Sequence, residues 1–184
     1  MTTLITHPLP VLAVGLALGR RIIPPRLLIA GLIFACVPDA DVLAFKLGIA
    51  YADAFGHRGF SHSLLFASLC GLFAAVIFRG LQCGPAKAAL FIFFATFSHS
   101  LLDALTDGGL GVAWLWPWDL ERYFLPWRPI EVSPFIAGFV SRRGLDVLQS
   151  EALWVWLPCG ALAISGLAVR GLVTKYGKKT GERP

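Results

Sequence analysis

Residues 86–106 read AKAALFIFFATFSHSLLDALT, a run whose only formal charges are Lys87 at one end and Asp103 near the other. A helix that crosses a bilayer needs about 20 mostly apolar residues, and this run has that length. Its polar groups are not spread evenly, because Ser98, His99, Ser100 and Asp103 all fall in the C-terminal half. Helix positions four apart share one face, so His99 and Asp103 present an imidazole and a carboxylate one turn apart. A spanning helix that carries a polar end of this kind decides how the rest of the chain is read.

Working outward, the stretches 60–80 and 152–173 are as long and as apolar, and both predict spanning helices. Residues 27–47 are long enough too, although Pro38, Asp39 and Asp41 interrupt them; a broken helix is tolerated in a membrane where it lines a cavity enclosed by protein. Segment 8–19 is short and ends at Gly19-Arg20-Arg21, with Pro24-Pro25 forcing a turn before the next helix. The expected fold is therefore all-α, a polytopic helical membrane protein of four to five membrane helices in one domain over residues 1–184.

Composition agrees. Of 184 residues 57% are hydrophobic and 15% charged, a balance that excludes a soluble globular domain. The net charge of +5 does not signal nucleic acid, because the basic residues sit between apolar runs: Arg20, Arg21 and Arg26, then Arg79 and Lys87, then Lys175, Lys178, Lys179 and Arg183. The four cysteines, Cys36, Cys70, Cys83 and Cys159, lack zinc-knuckle spacing and read as buried thiols. The first residues carry neither a basic region nor a cleavage signal, so no removable signal peptide is expected and His7 stays in the mature chain.

Between residues 107 and 151 lie Trp114, Trp116, Trp118, Tyr123 and Trp127, rings that favour the headgroup level and predict an interfacial segment. Arg122 and Arg128 lie among them, placed either to meet the phosphate of a lipid substrate or to serve as ordinary headgroup anchors. The brief apolar run 135–141 is too short to cross and is expected in or on the interface. With the basic tail in the cytoplasm, alternation puts the 20–26 and 79–87 loops inside as well, and residues 48–59 and 107–151 outside. Arg122, Arg128, Arg142 and Arg143 run against that count.

The remaining polarity is concentrated in four motifs: His7, Pro38-Asp39-Ala40-Asp41, the segment from His57 to His62, and the segment from Ser98 to Asp103, which together hold every histidine of the chain. By the topology above, all four reach the same, outer membrane face. An aspartate at the centre of a span costs roughly 2.5–3.5 kcal/mol, so a chance cluster of them is improbable. Taken singly, a membrane histidine can be a satisfied packing group and Asp39 or Asp41 can be a cap; together they point to metal. Imidazole with carboxylate and no thiolate suits a divalent ion, zinc first, then manganese or iron, and one or two ions fit the number of donors. The expected ligands are His7, Asp41, His57, His62, His99 and Asp103, with Asp39 as base or further ligand and the Arg58 guanidinium as a phosphate binder. Ser61, Ser63, Ser98 and Ser100 lack a Gly-x-Ser-x-Gly elbow and read as hydrogen-bonding neighbours of the histidines.

At Pro38-Asp39-x-Asp41, His57-Arg58-Gly59-x-Ser61-His62-Ser63 and Ser98-His99-x-x-x-Asp103-x-x-Thr106, followed by Pro117 and Arg122…Phe124-x-Pro126-Trp127, the sequence resembles the YdjM-like family of bacterial membrane-bound, metal-dependent hydrolases. The resemblance covers roughly residues 5–135 and implies an inner-membrane protein with hydrolase activity. A more distant similarity of motif order, through Asp41, His57, His99 and Asp103, is to zinc-dependent phospholipase C. No histidine follows residue 99, so that family's three-zinc site has no full counterpart.

The expected function is a metal-dependent hydrolase cleaving a phosphoester or related bond of a lipid-like, amphiphilic substrate at the outer face of the bacterial inner membrane, with no nucleic-acid partner. The rival is a metal transporter or sensor without hydrolytic activity. A transporter needs polar lining on both sides of its site, whereas 60–80 and 86–106 are apolar away from the clustered end. A third reading, a stabilising metal in a structural membrane protein, predicts closed coordination.

Overall fold

The computed structural model describes residues 1–134 and 141–180. Helix α1 is Leu9–Leu18, α2 Pro25–Phe34, α3 Leu64–Val76, α4 Pro85–Ala104, α5 Arg142–Glu151 and α6 Leu157–Thr180. Three stretches are long and apolar enough to cross a membrane, Pro25–Leu47, Pro85–Ala104 and Arg142–Tyr176, and α1 and α3 are shorter apolar helices. This is the all-α membrane architecture that the sequence predicts, and among the described residues only isolated bridges, such as Val112 with Tyr123, represent β structure.

The break at Pro38 is real. Helix α2 stops at Phe34, and an eleven-residue 3₁₀ segment, Val37–Leu47, follows with Pro38 in its first turn. A mid-helix proline would remove a hydrogen bond and clash with the preceding turn; here it opens the new segment, which turns Asp39 inward.

The helix expected over 60–80 is shorter than that. Phe60–His62 form a separate 3₁₀ turn, and α3 begins only at Leu64, where the Ser63 side chain accepts from the Phe66 amide at 3.0 Å. The Leu64 amide is drawn to the Trp114 carbonyl at 3.0 Å, which ties the start of α3 to the Trp-rich segment. The remaining thirteen residues span about 20 Å. The last helix exceeds its apolar core instead: α5, a π-helical turn at Ala152–Trp156 and α6 run without interruption, and the Ser141 hydroxyl caps the start by accepting from the Gly144 amide at 3.3 Å. Apart from Ser141, the run 135–141 expected at the interface lies outside the described residues.

Small residues bring the helices together, as is usual where lipid supplies no hydrophobic drive. A Cβ on Gly71 of α3 would come within 2.7 Å of the Ala89 carbonyl oxygen on α4, and one on Gly166 of α6 within 2.4 Å of Ala17 Cα on α1. Buried Leu27, Cys70, Ala74, Ala88 and Ile92 fill the space between α2, α3 and α4. All four cysteines are free thiols; only Cys70 is buried, and Cys36, Cys83 and Cys159 are half-buried. Arg26 Nη1 donates to the Gly80 carbonyl at 3.5 Å, so the two basic loops meet at one end of the bundle. The carboxyl end of α4 and the Trp-rich segment lie at the other.

Candidate metal centre

Five segments deliver side chains to that second end. The last two turns of α4 supply His99 and Asp103, and the 3₁₀ segment supplies Asp39 and Asp41. The 48–59 loop supplies His57 and Arg58, the Phe60–His62 turn supplies His62, and His7 precedes α1. His7, Arg58, His62, His99 and Asp103 are fully buried, and His57 and Asp39 nearly so. Ligand atoms of Asp39, His62, His99 and Asp103 all lie within 4.8 Å of one another, as do those of a second set, Asp41, His57 and His62. His7 stacks on His99, centroids 3.5 Å apart, with its Nε2 3.6 Å from Asp39 and 3.7 Å from Asp103.

The two aspartates of the 38–41 motif differ. Asp41 is saturated by protein donors: Oδ1 receives His57 Nδ1 at 2.6 Å, and Oδ2 receives the Arg58 amide at 3.1 Å and the Ser61 hydroxyl at 2.6 Å. Neither carboxylate oxygen of Asp39 has a hydrogen-bond partner. His99 Nε2 stands 3.4 Å and His7 Nε2 3.6 Å from those oxygens, longer than the usual N–H···O bond of about 2.7–3.2 Å and suited to donors that surround a common ion. A buried carboxylate left in that state is costly without a cation.

The imidazoles are oriented toward the same point. His99 Nδ1 lies 2.7 Å from the Ala35 carbonyl, which can only accept, so Nδ1 carries the proton and Nε2 is left as a ligand atom. His62 Nδ1 lies 3.1 Å from Asp41 and 3.0 Å from the Ser61 hydroxyl, which itself donates to Asp41; the same logic makes His62 Nε2 face inward. The two Nε2 atoms are 3.1 Å apart, where two lone pairs repel unless a proton or a metal ion lies between them. Burial alone would lower the His62 pKa, but its bonds to Asp103 and Asp41 outweigh burial and raise it to about 9. Burial, and then the neighbouring His99, push His7 down to about 3, so this ring is neutral. Asp39, His62, His99 and Asp103 together offer carboxylate and imidazole donors that fit a divalent ion in place of the His62 proton.

The arginines read from the sequence occupy different settings. Arg58 is wholly internal: its Nε donates to Asp103 Oδ2, Nη2 to the Thr106 hydroxyl and Nη1 to the Gly108 carbonyl, each at 3.0 Å. Its φ of 63° lies in the left-handed region, which for a non-glycine residue costs on the order of 1–2 kcal/mol. Arg122 donates to the carbonyls of His57, Tyr51 and Asp53 at 2.7–3.0 Å and fastens the ligand loop from outside. Arg128 lies over the Phe124 ring, 4.8 Å from its centroid, and is not brought into the cluster.

Sequence reasoning missed the N-terminal strap. The Thr2 amide donates to Asp103 Oδ1 at 3.0 Å, and the Thr2 hydroxyl meets His7 Nε2 at 2.8 Å. Thr3 and Thr6 bond to Glu151, a fully buried carboxylate on the last helix. Nothing local marks these residues, since threonines near a chain start and a glutamate before an apolar run look like ordinary flanks.

Residues 1–176 match the family described as YdjM inner membrane protein. The inner membrane protein YbcI of Escherichia coli (strain K12) is 51% identical over 160 residues, which is 86% of this chain and 92% of that protein. These matches carry the first resemblance and do not bear on phospholipase C. No solved structure matches.

Proposed function

The chain belongs to the YdjM family of inner membrane proteins, and we propose that it is a metal-dependent membrane hydrolase acting on a phosphoester or related bond of a lipid-like substrate at the outer membrane face. The observation that carries this reading is Asp39, a buried carboxylate without hydrogen-bond partners that shares its surroundings with two inward-turned imidazole nitrogens. Asp39, His62, His99 and Asp103 would hold the ion, zinc first, then manganese or iron, and His7 borders it. A bound divalent ion would supply Lewis acidity toward a phosphoryl oxygen and would acidify water for attack.

The chain's own residues prepare the site. Asp41 fixes the ring orientation of His57 and His62, a carboxylate–histidine arrangement that raises ligand basicity. Arg58 holds Asp103 in place, and Arg122 secures the backbone of His57. Asp39, expected from sequence as base or further ligand, serves here as a ligand, while Asp41 and His57, which form a second possible donor set with His62, stand behind it. The gathering of the basic loops at the opposite end supports an outer location. The burial of the whole cluster supports a second reading, an ion-holding protein without hydrolysis. A screen of phospholipids and isoprenoid phosphates with metal-loaded protein separates the two: phosphate release abolished by His99→Ala supports the enzyme, and silence across the screen with stoichiometric metal supports the alternative.

A further inference from the structure

Glu151 is fully buried where the polar helix α5 passes into the apolar stretch of the last helix, and no Lys, Arg or His among the described residues forms an ion pair with it. A carboxylate there is costly unless its oxygens are fully engaged. They are. Oε1 accepts from the Thr3 amide at 2.5 Å; Oε2 accepts from the Thr3 hydroxyl at 2.5 Å and the Thr6 hydroxyl at 2.7 Å. Thr6 Oγ1 also accepts from Trp156 Nε1 at 2.8 Å.

Glu151 and Trp156 bracket the π-helical turn Ala152–Trp156, and residues five apart on such a turn share a face. The local widening of the helix therefore brings a carboxylate and an indole onto one threonine. Residues on either side of the anchored threonines touch the metal cluster: the Thr2 amide donates to Asp103, the Thr2 hydroxyl meets His7, and His7 follows Thr6 directly and stacks on His99.

We propose that Glu151 is a positioning residue for the metal centre, acting through the Thr3 and Thr6 anchors to hold His7 against His99. The role rests on the metal reading above. Glu151 itself bonds to the strap, and its effect on the ion is carried by His7. Outer partners of this kind change metal affinity about 10- to 100-fold when removed.

The test is a cobalt(II) titration of detergent-purified full-length wild type, E151A, E151Q, H7A and the double variant H7A/E151A, followed by the visible d–d spectrum. The expected result is a loss of about 10- to 100-fold in cobalt affinity for E151A with a spectrum matching that of H7A. The double variant should be no weaker than the weaker single, because both changes remove the same contact. E151Q, whose amide oxygen still accepts from the Thr3 amide, should regain part of the loss. Wild-type affinity and spectrum in E151A, or additive losses in the double variant, would overturn the positioning role. Should E151A fail to fold, Thr6→Val keeps the side-chain shape and removes one Glu151 bond; it should shift affinity and spectrum in the same direction, and an unchanged titration overturns the proposal. A wild-type chain that takes up no cobalt overturns the metal reading itself, and the positioning role with it.

Discussion

Replacing Asp39 by Asn should change the sign of its effect on stability according to whether metal is present. The substitution keeps shape and removes the charge of a buried carboxylate whose two oxygens have no hydrogen-bond partner. An unsatisfied buried polar group costs about 1–3 kcal/mol, more when charged; Asn keeps the polar group and removes only the charge, so in chelator D39N should be the more stable protein by about 1 kcal/mol. For a chain of this size that is a rise in Tm of about 2–4 °C. With an ion at about 1,000 times its Kd the wild type gains about 4 kcal/mol by mass action, whereas the variant, lacking a ligand, gains little. The order of melting temperatures should therefore reverse between EDTA and zinc. Thermal unfolding followed by tryptophan fluorescence in one detergent, with and without chelator, reads both arms. A D39N protein that melts below wild type in EDTA would show that Asp39 is a satisfied structural group, and the reasoning from its unpartnered oxygens would fail.

Asp41→Asn should weaken metal binding about 10- to 100-fold without lowering the stoichiometry, measured by competition with a chromophoric chelator, because Asp41 orients His62. His62 is raised to about 9 and so carries a proton at neutral pH that an incoming ion must displace. Apparent metal affinity should accordingly climb about tenfold per pH unit between pH 6.5 and 9 and flatten above, with proton release visible by calorimetry in buffers of different ionisation enthalpy; a flat profile would contradict the protonated state. For orientation, Trp118→Cys in a background lacking the native cysteines should react with an impermeant maleimide on intact spheroplasts, since Trp118 is 80% exposed at the site end. Cys83, restored alone beside the basic loop, should react only after permeabilisation, and the reverse pattern would place the site in the cytoplasm.

Much of the fold was legible because membrane helices announce themselves by length and apolarity. Helix α4 and the break at Pro38 followed from residues 86–106 and 27–47 alone. The gathering of His7, Asp39, Asp41, His57, His62, His99 and Asp103 followed from alternation, since each lies at the same end of its span. What stayed hidden depends on contacts between distant positions. The late start of α3 reflects Ser63 and the Trp114 carbonyl, some fifty positions further on. Arg58 read as a phosphate binder because its partner, Asp103, is 45 residues away and nothing nearby shows the pairing. Asp39 and Asp41 looked equivalent in sequence; Ser61, His57 and the Arg58 amide, all on another segment, make one a saturated hub and leave the other open. The Glu151 anchor spans 148 residues to Thr3 and has no local signature.

The most direct measurement is elemental analysis of the gently detergent-purified chain beside His99→Ala and Asp103→Ala, scored as moles of each metal per mole of protein. A stoichiometric divalent transition metal is expected in wild type, lost in both variants while membrane insertion is retained. A wild-type chain without bound metal, and with no uptake when zinc, manganese or iron is added back, would contradict it and leave the cluster as polar packing between helices.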